Sequence, residues 1–139
     1  MKNRIRLSCS LIMLSLLIGL SVAVAAQPDL YISEFSLQPS SPTQGQSVSV
    51  RIGVYNGGDA MAKNFTLAWY GGEKYKHPGC TWRVHKVAAK GGKILHCNYF
   101  YPSWYSKIAT KAVADLDKEV AEQNEDNNTK IMGIEVLKP

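Results

Sequence analysis

Hydrophobic and polar side chains alternate along much of the chain after residue 29, and a period of two predicts β-strands. The clearest example is SVSVRIGVY, in which Val48, Val50, Ile52 and Val54 alternate with polar or small residues. This alternation is typical of a strand with one buried and one exposed face. The segment ends at NGGD, residues 56–59, a composition typical of a turn.

Six further segments show a strand pattern, and turn-forming residues separate them. They are 30–37, 65–69, 80–87, 93–101, 108–114 and 132–136. No segment shows a convincing helical period. Seven short strands in about 110 residues predict an all-β fold, an immunoglobulin-like antiparallel β-sandwich.

The N-terminal segment has the composition of a secretory signal peptide. Three basic residues precede an apolar run of about 14 residues, Leu7 to Leu20, which is short for a membrane span. Ala23 and Ala25 form an A-x-A pattern, so we expect cleavage after Ala25 or one residue later. An uncleaved anchor is the alternative. The expected organisation is a signal peptide over 1–25 and a single sandwich domain over 26–139.

Removal of the signal peptide changes the charge argument. The whole chain has 16 basic and 11 acidic residues, for a net charge of +5. Three basic residues and no acid leave with the signal, so the mature chain carries 13 − 11 = +2. We therefore expect no nucleic-acid partner. We also expect a secreted or periplasmic protein without a stable membrane anchor after cleavage.

The remaining charge is unevenly distributed along the chain. Residues 60–111 hold nine Lys or Arg and one acid, whereas residues 112–139 hold three Lys and seven acids. Such asymmetry can steer a partner. The favoured interpretation is that two oppositely charged strand regions lie near each other in the fold.

Cys80 and Cys97 are expected to form a disulfide bond, since paired cysteines of exported proteins usually do so. If residues 80–101 form a hairpin about residues 88–89, paired positions sum to 177, and 80 + 97 = 177. The two side chains would then lie directly opposite each other, close to disulfide geometry. A catalytic thiol pair is disfavoured because the spacing lacks the C-x-x-C pattern.

The stretch VAEQNEDNNTK, residues 120–130, consists mainly of acids and amides. Asn and Asp accept left-handed backbone conformations and bond nearby backbone amides, so we expect a turn that joins the last two strands. The residues expected to form this structural motif are Asp115, Glu122, Glu125, Asn127 and Asn128.

Calcium binding is the alternative interpretation of the same stretch. Its candidate ligands are Asp117, Glu122 and Asp126, because calcium prefers oxygen ligands. An EF-hand loop starting at Asp115 is excluded, since Val120 stands where that loop requires glycine.

A metal site formed by histidines is also not expected. In the hairpin register His85 lies opposite Gly92, and His96 lies opposite Thr81. The two histidines are then four residues apart along the hairpin, which is about 13 Å at the rise of a strand and too far for one metal ion.

Aromatic side chains interleaved with lysines supply the candidate ligand contacts Trp104, Tyr105 and Tyr75. Aromatic rings beside polar donors suit sugar or peptide binding. For the wider aromatic set a core role is the favoured interpretation, whereas Trp104 and Tyr105, which follow Pro102, are expected to be exposed. No spacing typical of a catalytic motif is present in the sequence. We therefore expect neither enzymatic activity nor a cofactor.

Two segments resemble the CARDB family, a cell-adhesion-related domain found in bacteria. The opening segment contains Pro28-Asp29-Leu30, a proline-rich turn and Asn56-Gly57. The closing segment, AVADLDKEVAEQNEDNN, contains Asp115, Glu122 and the Asn127-Asn128 pair. The resemblance implies an immunoglobulin-like fold, a bacterial source and a role in adhesion.

These observations favour a secreted, non-enzymatic module for extracellular binding or adhesion, whose partner is an unidentified protein or glycan. The alternative is a structural or calcium-stabilised cell-surface module without a ligand of its own.

Overall fold

The computed structural model describes residues 23–72 and 74–139, and within them the chain forms seven strands. They are β1 (Leu30–Gln38), β2 (Ser47–Asn56), β3 (Ala62–Tyr70), β4 (Cys80–Val87), β5 (Gly91–Phe100), β6 (Tyr105–Val113) and β7 (Thr129–Val136). Within these ranges no helix is long and apolar enough to cross a membrane. The expected signal peptide lies almost entirely outside the described residues and stays a prediction.

The strands form two antiparallel sheets that pack face to face. One sheet has the order β1-β2-β5, and the other has the order β4-β3-β6-β7. This arrangement confirms the predicted all-β sandwich of seven strands. The edges of the first sheet are β1 and β5, and those of the second are β4 and β7.

The core lies between the sheets and follows the alternation in the sequence. From β2, Val48, Val50, Ile52 and Val54 are fully buried, and from β3 the side chain of Trp69 is fully buried as well. Burial of one such aliphatic side chain contributes about 1.5–3 kcal/mol relative to exposure. The hydrophobic face of each central strand therefore accounts for the pairing of the two layers.

The predicted hairpin between β4 and β5 is wrong. β4 pairs with β3, where Cys80 lies opposite Trp69, and β5 pairs with β2, where Cys97 lies opposite Val50. The turn at residues 88–90 carries the chain from one sheet to the other instead of folding it back within one sheet.

The predicted bond between Cys80 and Cys97 is nevertheless present, with Cα atoms 6.6 Å apart. It links an edge strand of one sheet to an edge strand of the other. The indole nitrogen of Trp82 on β4 also donates to the carbonyl of His96 on β5, at 3.2 Å. The disulfide is thus a bond between layers, and the hairpin register from which it was predicted does not apply.

The predicted histidine pairing is wrong for the same reason. His96 lies opposite Arg51 of β2 rather than opposite Thr81, and His85 belongs to the other sheet. Within residues 23–72 and 74–139, no group of three His, Cys, Asp or Glu side chains is placed to hold a metal ion.

Candidate functional site

A pocket of about 440 Å³ opens where the loop after β3 meets the first half of β6. Its volume falls in the range of roughly 300–1,000 Å³ that is typical of small-ligand sites. The residues that line it are Gly72, Lys74, Tyr75, Tyr105, Lys107, Ile108 and Ala109. The pocket therefore combines an apolar floor with two phenols and two ammonium groups.

The pocket exists because β3 is too short to pair with the first half of β6. The two strands pair only from Ala68 opposite Val113 to Tyr70 opposite Lys111. The chain then turns away from the sheet, and the amide of Tyr75 donates to the carbonyl of Gly72 at 2.9 Å. On its other side, the early part of β6 pairs with β7 at Tyr105 and again from Ile108 onward. A gap is left in the place of the missing β3 partner.

Two glycines allow the loop to approach the neighbouring aromatic rings. A Cβ atom on Gly71 would lie 2.8 Å from the ring of Tyr99, a distance that side chains do not tolerate. A Cβ atom on Gly72 would lie 3.0 Å from Ile108 and 3.2 Å from Tyr75. The Gly71-Gly72 pair therefore permits close packing at the edge of the pocket.

A column of edge-to-face aromatic rings holds the pocket wall in place. Ring centroids are 5.0 Å apart for Trp69 and Tyr99, 5.0 Å for Tyr99 and Tyr101, and 6.5 Å for Tyr101 and Tyr105. Tyr101 is fully buried, and its hydroxyl donates to the carbonyl of Gly71 at 3.0 Å. Such pairs stabilise by about 0.5–1.5 kcal/mol beyond their burial. The column connects the core to the ring of Tyr105.

The hydroxyl groups of Tyr75 and Tyr105 lie 3.0 Å apart and share a hydrogen bond. Burial, together with this bond, raises the pKa of Tyr75 well above its ordinary value of 10.0. Tyr75 therefore remains protonated at neutral pH. Because two phenols carry two protons and their mutual bond uses one, the pair can donate the other to a ligand.

Of the three predicted ligand contacts, Tyr75 and Tyr105 line the pocket and Trp104 does not. Trp104 is 47% exposed, and the ammonium group of Lys138 lies 4.3 Å from its ring centroid. This geometry is that of a cation–π contact. Trp104 thus occupies the surface immediately before β6, next in sequence to Tyr105.

The sequence did not indicate the other pocket residues as a site. There, Ile108 and Ala109 belonged to a predicted strand over 108–114, Lys107 preceded that strand, and Gly72 followed the predicted strand over 65–69. Two signals pointed to the region: the excess of basic residues in 60–111 and the early end of the β3 pattern at Gly71. Neither signal shows that β6 continues past the end of β3.

The acid and amide stretch forms the connection between β6 and β7, where Glu122 is buried. One carboxylate oxygen of Glu122 accepts from the backbone amide of Leu30 at the start of β1. The other accepts from the side-chain amide of Asn128 at 2.6 Å. The connection is therefore bonded to the first strand as well as to the last two.

The other members of the predicted turn motif surround Glu122. Glu125 accepts from the amide of Glu122 at 3.0 Å, and Asn127 donates to the carboxylate of Asp29 at 2.8 Å. Asp115 is buried with φ at 48°, and its two oxygens accept from the amides of Glu119 and Val120 at 2.9 Å each. These contacts are those of a turn built on side-chain-to-backbone bonds.

The weak calcium candidates occupy different environments. Asp117 and Asp126 are exposed, whereas Glu122 is buried and bonded through both oxygens to protein donors. Burial raises the pKa of Glu122, and the hydrogen bonds from Leu30 and Asn128 oppose that shift.

Asn56 is a buried polar residue whose role the sequence did not reveal. Its side-chain oxygen accepts from the amides of Asp29 and Gly58, at 3.0 and 3.1 Å. Its side-chain nitrogen donates to the carbonyl of Ala60 at 2.8 Å. Asn56 thus holds the turn after β2 against the start of β1, at the end of the sandwich where Glu122 lies.

Comparison with known proteins places the fold. The family model of CARDB matches residues 27–132. A CARDB domain from Pyrococcus furiosus, crystallised in complex with di-metal ions, is similar with a TM-score of 0.70 and 23% identity, over 84% of this chain and 99% of that one. A search of curated proteins gives no match.

Two further solved structures share the fold at lower similarity. A domain of a candidate cell surface protein from Methanosarcina acetivorans has a TM-score of 0.59 and 18% identity, over 80% of this chain and 93% of that one. A protein from Geobacter metallireducens has a TM-score of 0.58 and 22% identity, over 76% of this chain and 93% of that one. At such identities the likeness shows the fold alone. Because the family model matches residues 27–132, which is most of the chain, this protein belongs to the CARDB family.

Proposed function

We propose that this protein is a secreted or periplasmic, non-enzymatic module for extracellular binding or adhesion, and that its ligand site is the Tyr75–Tyr105 pocket. The observation that carries the proposal is the pocket itself, where donor groups surround an apolar floor. Membership of the CARDB family and similarity to a domain of a candidate cell surface protein support a location outside the cytoplasm. The N-terminal pattern of a signal peptide supports export.

The export part of the proposal is tested by mass spectrometry of protein recovered from outside the cytoplasm. The expected N-terminus is Ala26 or Gln27, because cleavage is expected after Ala25 or Ala26. An intact Met1 on membrane-bound protein would show that the segment is an anchor instead.

The binding part is tested by retention of native envelope material on the immobilised mature protein. We expect the wild type to retain envelope material and the double variant Lys74→Ala/Lys107→Ala to lose most of it. Both lysines are exposed, so the variant is expected to fold. The double variant Lys63→Ala/Lys86→Ala is the matched control, since these exposed lysines pair at the opposite end of β3. Absence of retention by the wild type would favour the structural module without a ligand.

A further inference from the structure

The early part of β6 has an open backbone edge on the side of the pocket. Alternate backbone groups of a strand point to its two neighbours. β7 pairs with β6 at Tyr105 and from Ile108 to Val113, with a bulge between Tyr105 and Ile108, but β3 pairs only with Lys111 to Val113. In the part of the chain that the structure describes, the pocket side of residues 105–110 therefore has no strand partner. An open edge of this kind can accept an added strand.

The gap is closed at both ends. At one end β3 and β6 meet where Tyr70 lies opposite Lys111. At the other end the hydroxyl bond between Tyr75 and Tyr105 bridges the loop and the strand. A polypeptide that enters the gap at one end and leaves it at the other would have to break one of these contacts. The shape favours the end of a chain.

The charges favour a carboxylate rather than an ammonium group. Both charged side chains among the described lining residues are lysines, Lys74 and Lys107. The phenol pair adds one proton that is free to be donated. Each of these groups recognises an acceptor oxygen, and a charged partner strengthens the hydrogen bond. The N-terminus of a chain would be repelled by the same lysines.

The apolar floor indicates what precedes the carboxylate. Ile108, Ala109 and the ring of Tyr75 line the interior, which suits an apolar side chain. We propose that the pocket binds the C-terminal end of a polypeptide whose last residue is apolar. Its backbone pairs with the open edge of β6, and its carboxylate contacts Lys74, Lys107 and the phenol pair. This inference rests on the proposed function and names its ligand class.

The test uses the mature protein and fluorescent hexapeptides that end in an apolar residue, each prepared as the free acid and as the C-terminal amide. The free acid is expected to bind at least tenfold more tightly than the amide, because only the acid places a charged acceptor beside the two lysines. Lys74→Ala/Lys107→Ala should remove this preference, and Lys63→Ala/Lys86→Ala should keep it. The preference should also weaken with added salt.

Strand addition is tested by amide hydrogen exchange of the complex. Among β6 residues 105–110, exchange should slow at the amides that point away from β7 when the acid peptide is bound, whereas exchange in β2 should not change. Equal binding of acid and amide would overturn the inference, as would binding without protection of β6.

A uronic-acid oligosaccharide serves as the comparison ligand. If it binds through Lys74 and Lys107 while the peptides do not, the peptide inference fails and the binding function stands. If no probe binds and envelope material is not retained either, both the inference and the binding function fail.

Discussion

At the scale of single residues, Glu122 connects parts of the chain that are far apart in sequence. It accepts hydrogen bonds from Leu30, which is 92 positions away, and from Asn128. Removal of a buried acceptor leaves its donors without partners, and each such donor costs about 1–3 kcal/mol. Glu122 therefore stabilises the junction of β1 with the connection between β6 and β7.

Glu122→Ala is expected to lower the melting temperature by several degrees, since each kcal/mol corresponds to roughly 4–8 °C in a domain of this size. Thermal unfolding followed by circular dichroism measures the effect. Glu135→Ala on β7 is the control, because that side chain is exposed and its removal should change stability by at most about 0.5 kcal/mol. Identical melting of Glu122→Ala and the wild type would show that the hydrogen bonds contribute nothing net.

The pH dependence of stability should distinguish Glu122 from Glu34. Burial raises the pKa of Glu122, so its carboxyl contributes stability that is present below the ordinary value of 4.5 and lost as pH rises through the raised value. The hydrogen bond from Arg51 lowers the pKa of Glu34, so its contribution is present above the ordinary range and lost as pH falls.

Urea unfolding between pH 3 and pH 8 measures this difference. The stability of the wild type relative to Glu122→Gln should fall as pH rises, and relative to Glu34→Gln it should rise. A rising difference for Glu122 would contradict the dominance of burial and show that its hydrogen bonds control the shift.

At the scale of elements, the strands were predictable from the sequence, but one of their pairings was not. Alternation identified β2 and β3 because each has one face against the core. It could not tell whether the turn at residues 88–90 returns β5 to β4 or carries it to the other sheet. In both arrangements Cys80 and Cys97 face each other, so the cysteine spacing supports the hairpin and the crossing equally well.

The pocket was only partly predictable for a related reason. Tyr75 and Tyr105 stood out by residue type. The gap beside them, however, exists because β3 does not extend along the first half of β6. Strand ends are set by pairing across the sheet, which a single sequence does not show. Lys107 and Ile108 became pocket residues only when that gap was seen.

The connection between β6 and β7 is expected to be stable without calcium. Protein donors already bond both oxygens of Glu122, so millimolar calcium should barely shift the melting temperature of the wild type relative to chelator. The same comparison for Glu122→Ala should show the lower melting temperature in both conditions. A large calcium-dependent rise in the wild type that disappears in Glu122→Ala would instead establish a metal site.

At the scale of the whole molecule, the two sheets are joined differently along their two open sides. Beside β1 and β7 the join is a backbone bridge between Thr43 and Leu137, and the amide of Leu137 donates to the carbonyl of Pro42 at 2.8 Å. Beside β4 and β5 it is the covalent bond between Cys80 and Cys97. The disulfide therefore restrains the side of the sandwich formed by β4 and β5.

Loss of this bond should destabilise the whole domain. The cysteines are 17 positions apart, and closing a loop of that size in the unfolded chain stabilises the folded state by about 3 kcal/mol in the chain-entropy account. The double variant Cys80→Ala/Cys97→Ala should therefore melt roughly 10 °C or more below the oxidised wild type. Reductant should lower the melting temperature of the wild type similarly and leave that of the variant unchanged.

Non-reduced peptide mapping of exported protein should link the two cysteines directly. Free alkylation of both in the native protein, or equal melting of variant and wild type, would show that the two sheets are held together without the disulfide.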